Sequence, residues 1–85
     1  MSNKSTVAVQ LDAKGLNCPL PILKTKLQLN KMNPGEIIEV QATDPHARVD
    51  FEAYCARTGH ELLEIQENDE ILTFLIQCAA DARTI

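Results

Sequence analysis

Cys18-Pro19-Leu20-Pro21, set between Gly15-Leu16-Asn17 and Ile22-Leu23-Lys24, is the stretch of this chain whose residue types point most directly to chemistry. A proline inside a helix removes a backbone hydrogen bond and clashes with the preceding turn. In the first turn, where amides have no intrahelical partner anyway, it costs little. Two prolines at i and i+2 after a glycine turn therefore predict that a helix begins here, with Cys18 at or beside its N-cap. First-turn amides and the helix dipole favour an anion at that place, so the thiol is expected to have a lowered pKa and to react as a thiolate near neutral pH. Pro19 and Pro21 carry no N–H, which leaves Leu20 and Ile22 as the first-turn donors nearest the sulfur. Both prolines also fix φ, so the turn is rigid before any partner arrives. A cysteine at a helix start is also, in many proteins, a small packed residue and nothing more. The prolines and the Gly15 turn favour the reactive reading.

Nothing else in the sequence completes a catalytic site. A papain-like nucleophile needs a positioned histidine base. His46 lies at the start of a second predicted helix and His60 beside its terminator, and a surface-capping role is the commoner one for both. Cys18, Cys55 and Cys78 are spaced by 37 and 23 residues with no CxxC or HxxxH pair, which argues against a structural zinc site. No metal or cofactor is expected. A reactive thiol without a substrate pocket suits a carrier better than a hydrolase.

The elements that must position this thiol follow from periodicity. Residues 7–12 read as a strand with Val7, Val9 and Leu11 on one face. Helical periodicity runs from about Pro19 to Met32 and stops at Asn33-Pro34-Gly35. Residues 36–42 alternate again, with Ile38, Val40 and Ala42 together. Asp44-Pro45 reads as an N-cap with proline in the first helical position, opening a helix that ends near Thr58 with Gly59 as its left-handed terminator. Residues 60–66 and 71–78 read as two strands joined by a tight turn at Asn68-Asp69. The order is β-α-β-α-β-β. Right-handed crossovers put both helices on one face of a four-stranded mixed sheet, an α/β two-layer sandwich. The opposite face would show Glu39, Gln41, Glu64, Thr73 and Gln77. Cys55 falls among Ala47, Phe51, Tyr54 and Thr58 on the sheet-facing side of the second helix, and Cys78 alternates with Leu72, Phe74 and Ile76, so both are expected in the core.

The whole chain sets bounds on these readings. Its 85 residues make a single domain, 1–85, with a core over about 7–78. Residues 1–35 hold five lysines and one aspartate, and residues 36–85 three arginines and eleven acids, for a net charge of −4. The acidic total argues against nucleic acid as a direct partner. The lysines around the Cys-Pro segment suit an acidic protein surface or an anion, or form a solvated helix face. No signal peptide or membrane-length apolar run is present, and three unpaired cysteines suit a reduced, cytoplasmic setting.

The segment LDAKGLNCPLPILKTKLQL, followed by PGEIIEVQATDPHARVDFEAYCARTGHELLE, closely resembles the TusA (SirA-like) sulfur carrier family from about Leu11 to Gln77. The family's CPxP signature matches Cys18-Pro19-Leu20-Pro21, in the same setting of a Leu-Asp, a glycine turn and a downstream Asp-Pro. The resemblance implies the same two-layer fold. It also implies that Cys18 accepts sulfane sulfur as a persulfide from a cysteine desulfurase or rhodanese. The acceptor is another protein's cysteine, on routes to tRNA thiouridine, to molybdenum cofactor or, in sulfur oxidisers, through a DsrE/TusD-type relay. The family often has a basic residue just before the aspartate that matches Asp50. Here that position is Val49, with Arg48 one earlier, so no arginine role is carried over.

Two other readings compete with a carrier. A thiol switch would pair Cys18 with Cys55 or Cys78, which requires Cα atoms within about 7 Å. A regulatory binding module would keep its activity without the thiol. One further pattern bears on partners. Ile22, Thr25, Leu29 and Met32 form one stripe of the first helix, suited to the sheet. Leu20, Leu23 and Leu27 form a second, rotated away from it and flanked by Lys24 and Lys31. A two-layer sandwich buries one such stripe fully, so the second is expected to stay partly exposed as a docking surface, with Lys14 at the glycine turn steering acidic partners or remaining a solvated lysine.

Overall fold

Period-two alternation makes β1 (Val7–Ala13) and β2 (Ile37–Ala42), two parallel strands bridged by α1 (Leu20–Leu29). A second helix, α2 (Ala47–Thr58), leads into an antiparallel hairpin of β3 (Glu61–Asn68) and β4 (Ile71–Gln77). In the computed structural model, which describes residues 7–17 and 19–79, the strands form one sheet in the order β1-β2-β4-β3. This is the β-α-β-α-β-β arrangement expected from the sequence. Because β4 is antiparallel to both neighbours, β2 and β3 run the same way. Both helices are then return crossovers and run parallel, so their N-termini share one end of the molecule.

Register aligns the apolar residues into continuous rows. Val9, Ile38, Ile76 and Leu62 stand side by side across the four strands, as do Leu11, Val40, Phe74 and Ile65. Leu29 of α1 and Phe51 of α2 join these rows in a single cluster, so both helices cover the same sheet face. Phe51 and Phe74 stack with ring centroids 4.4 Å apart, a pairing worth about 1 kcal/mol beyond its buried area. Thr25 and Thr58 enter this apolar layer without an unmet hydroxyl, because each donates to the carbonyl oxygen four residues earlier, Pro21 and Tyr54, at 2.8 Å. Cys55 and Cys78 lie in the same cluster.

Several element ends differ from the sequence reading, among them β3, which spans Glu61–Asn68 rather than 60–66, and β4, which stops at Gln77 rather than Cys78. A register shift between Val7 and Val9 sets Val7 opposite Ile37, outside the core cluster that takes Val9 and Leu11. The first helix ends at Leu29, with Asn30 as its cap and Met32 in the turn beyond. The second begins at Ala47 rather than at Pro45: the Asp44 carboxylate accepts the His46 amide at 3.0 Å, and the Asp44 carbonyl accepts that of Ala47 at 2.9 Å. This local turn delays the helix by two residues. Gly59 terminates α2 at φ 93°, its amide donating to Cys55 O at 2.9 Å. That left-handed position favours glycine strongly.

Candidate functional site

Cys18 itself lies outside the described residues, so the site is built from what surrounds it in the chain. β1 ends at Ala13, and a turn follows in which Leu16 N–H donates to Ala13 O at 3.3 Å. Gly15 occupies φ 83° in this turn, a region where a side chain is strained. Its amide donates to Thr43 Oγ1 at 2.9 Å. That bond ties the loop before Cys18 to the loop after β2, a link between residues 28 apart that no local pattern announces.

The start of α1 is as the prolines require. Pro19 is the cap residue at φ −100° and Leu20 the first helical residue; the first turn has no acidic residue and no side-chain cap. Pro21 is buried and Ile22 half-buried against the core, while Leu20 is exposed. Of the two first-turn amides expected beside the sulfur, that of Leu20 is donated instead to Asn17 O at 2.8 Å. Asn17 turns its carbonyl into the helix end and takes that donor, a correction to the reading from proline spacing. Leu23 N–H reaches Pro19 O at 3.1 Å, the first regular helical bond among the described residues of this turn.

The Lys14 side chain is engaged by the strands. Its ammonium lies 3.0 Å from both Asp12 Oδ1 and Gln41 Oε1, over the face of the sheet that carries no helix. The Lys14 amide also donates to Asp12 Oδ1, at 3.0 Å. These contacts, the backbone bond foremost and then the ammonium, hold the Asp12 carboxyl below its ordinary pKa. A shallow polar cleft of about 330 Å³ opens there between Gln10, Asp12, Lys14, Glu39 and Gln41.

The two histidines part company. His46 caps α2 with an exposed ring, its Nδ1 3.5 Å from Asp44 Oδ1. His60, expected on the surface, is buried, with the residue only 6% exposed. It stacks on Tyr54 at 5.9 Å, and burial lowers its pKa. Arg48 reaches across to Glu67 of β3 at 3.7 Å, an exposed pair worth little to stability.

On α1 the two stripes separate as their spacing requires. Thr25 and Leu29 are fully buried, with Ile22 and Met32 packed at the margin. Leu20, Leu23 and Leu27 stay 47%, 46% and 62% exposed, and Lys24 and Lys31 beside them are exposed too.

Comparison with known proteins places these features in a family. The family model described as "Sulfurtransferase TusA" matches residues 9–78, a span that contains Cys18-Pro19-Leu20-Pro21 and both helices. The chain belongs to the TusA family of sulfur carriers. The sulfur carrier protein TusA of Allochromatium vinosum is 50% identical over 68 residues, covering 80% of this chain and 90% of that protein. A putative sulfur carrier protein of Neisseria meningitidis is 49% identical over 67 residues, 79% and 90% of the two chains. TusA of Pseudomonas aeruginosa is 41% identical over 71 residues, covering 84% and 90%. The crystal structure of a SirA-like protein from Desulfitobacterium hafniense superposes with a TM-score of 0.75 over 84% of this chain and 97% of that one. At 22% identity, that likeness speaks to the TusA fold alone. Among the described residues, no helix is long and apolar enough to cross a membrane.

Proposed function

We propose that this chain carries sulfane sulfur on Cys18, accepting it as a persulfide from a cysteine desulfurase or rhodanese and passing it to a cysteine of an acceptor protein such as a DsrE/TusD-type relay subunit. The observation that supports the reading is that Pro19, Leu20 and Pro21, the residues directly after Cys18 in the chain, form the entry to α1, inside the TusA match. Prolines at 19 and 21 fix the turn, and the parallel amides of a helix start favour an anionic sulfur next to it.

The chemistry is thiol exchange at a sulfane sulfur. The Cys18 thiolate attacks the outer sulfur of the donor persulfide, the donor's S–S bond breaks, and the donor leaves as a thiolate. Cys18 now bears S–SH, whose outer proton is more acidic than that of a thiol and is readily lost. An acceptor thiolate then attacks that outer sulfur and Cys18 departs as a thiolate, a leaving group made better by any stabilisation of its charge. The sulfane sulfur changes hands with no net oxidation or reduction. This makes the chain a relay component rather than an enzyme with a substrate pocket. Recognition falls to the exposed leucines of α1, to Lys24 on that helix and to Lys31 in the turn that follows it. The setting is the cytoplasm, and candidate pathways are tRNA thiolation, molybdenum cofactor assembly and sulfur oxidation.

The test is mass spectrometry after incubation with a cysteine desulfurase and cysteine, or with a rhodanese and thiosulfate. One sulfur atom should add to the chain and leave on reduction. Cys55→Ser and Cys78→Ser should still load; a Cys18→Ser chain that loads overturns the assignment. A regulatory module with an incidental thiol would instead keep its activity in Cys18→Ser.

A further inference from the structure

His60 sits between the terminator of α2 and the first residue of β3, with its ring turned into the protein. Ring Nδ1 accepts a hydrogen bond from Ala79 N–H at 3.0 Å. Nδ1 must therefore present a lone pair, and the proton of the neutral ring is on Nε2. Ala79 follows Cys78, whose backbone is fixed on its other side: Cys78 N–H donates to Glu36 O, and Gly35 N–H donates to Cys78 O, each at 2.8 Å. Cys78 Sγ is enclosed by three carbonyl oxygens, those of Leu29 at 3.8 Å and of Met32 and Ala79 at 3.9 Å. Ala79 thus closes one side of a buried thiol, and the imidazole holds Ala79.

We propose that His60 is a pH-operated latch on the end of β4. While its ring is neutral, Nδ1 holds Ala79 against Cys78; protonation puts a donor against the Ala79 N–H, and Ala79 comes off the thiol. The only nitrogen that can take the incoming proton is the one already used as acceptor, so protonation and the latch bond exclude each other. The titratable group packed on the ring is Tyr54 of α2, with Glu61 next in the chain; Cys55, Arg57 and Cys78 act on Tyr54, and Glu36, from the turn before β2, acts on Cys78. Among the described residues none forms an ion pair with the ring that would hold the proton without opening the latch. The device is independent of the sulfur-carrier reading, since it uses neither Cys18 nor a partner.

The experiment is labelling by a pyridyl disulfide reagent, which attacks thiols in acid as well as at neutral pH, with each cysteine followed by peptide mapping. Rates are taken relative to a short unfolded cysteine peptide at the same pH. NMR of the ring should show the Nε2–H tautomer at neutral pH and a titration midpoint below the ordinary histidine value of about 6.5. The relative rate at Cys78 should rise about tenfold per pH unit of acidification above that midpoint, following the protonated fraction, and level off below it. Cys55, buried under α2, should remain protected throughout. His60→Gln, whose amide oxygen accepts the Ala79 N–H without titrating, should remove the step. A flat Cys78 profile, or a step that Cys55 shares, overturns the latch; so does a step that persists in His60→Gln. If that variant does not fold, the contrast between Cys78 and Cys55 in the native chain still decides.

Discussion

Burial pushes the Cys55 thiol up to about 11, and it raises that of Cys78 as well, where the Glu36 carboxylate adds to the effect. Neither offers a thiolate at neutral pH, so alkylation by iodoacetamide should fall on Cys18 alone. Its rate should titrate with a midpoint below the ordinary value of about 8.5. A midpoint at or above that value would show that the helix start does not activate the sulfur and that partner enzymes must. His60 adds a pH dependence of stability. Its folded-state pKa is lowered, so the unfolded chain binds the proton more readily. The stabilising effect of keeping the ring neutral is therefore complete above the unfolded value of about 6.5 and is lost as pH falls below it. Denaturant midpoints measured down through that range should decline, and His60→Gln should decline less. At this scale the sequence was a partial guide. The thiol and its prolines announce themselves through type and spacing, whereas the Asp12–Lys14 contact is no part of that reading. Thr43 beneath Gly15, Asn17 capturing the Leu20 amide, and the burial of His60 all depend on which loops the topology brings together.

Element interiors are set by periodicity and their ends by local competition, which is why the six elements follow from pattern while their boundaries move. The delayed start of α2 is one case: Asp44-Pro45 reads as an N-cap and first helical residue, but the carboxylate closes a turn on His46, and His46 takes the cap position instead. The β3–β4 connection is another. Asp69 and Glu70 both take positive φ, 53° and 67°, the conformation of a type I′ hairpin turn, which prefers glycine at its second central position. The run Asn68-Asp69 marks the place of the turn but not which residues must be left-handed. Glutamate at φ 67° bears a steric cost that glycine lacks, so Glu70→Gly should stabilise the chain by about 1 kcal/mol in urea unfolding. The converse holds at Gly59, where φ is 93°: Gly59→Ala should destabilise by about 1 kcal/mol. A destabilised Glu70→Gly would mean that contacts of the glutamate side chain outweigh the backbone cost.

The molecule as a whole has two unlike faces. On the sheet's open side, Gln10, Glu39 and Glu64 flank Leu75 in register, and Asp12, Gln41 and Gln66 flank Thr73. Leu75 and Ile37 interrupt the expected polar pattern, yet each is only 5% exposed. They occupy inner strands of the sheet, among longer polar neighbours, a burial that alternation alone does not reveal. The helix side is the reverse. The four large apolar residues exposed among the described ones, Leu20, Leu23, Leu27 and Val49, all belong to α1 or α2. Two-layer packing explains this, since a helix on one sheet can bury only the side turned to that sheet, and a second leucine stripe has nowhere to go. An apolar strip with a basic rim, starting at the residue pair that follows Cys18, has the composition of a protein-docking surface. A carrier that meets several partners gains by placing recognition beside the sulfur it hands over. Leu23→Glu and Leu27→Glu should then slow sulfur transfer to or from partner proteins by about tenfold, equivalent to about 1.4 kcal/mol of lost docking energy. Because Leu27 is mostly and Leu23 about half exposed, thermal unfolding should change little, least for Leu27→Glu, and alkylation of Cys18 by a small reagent should proceed at the native rate. Transfer at the native rate in both variants would place recognition elsewhere on the molecule, and unfolding of either would show that the stripe belongs to the core.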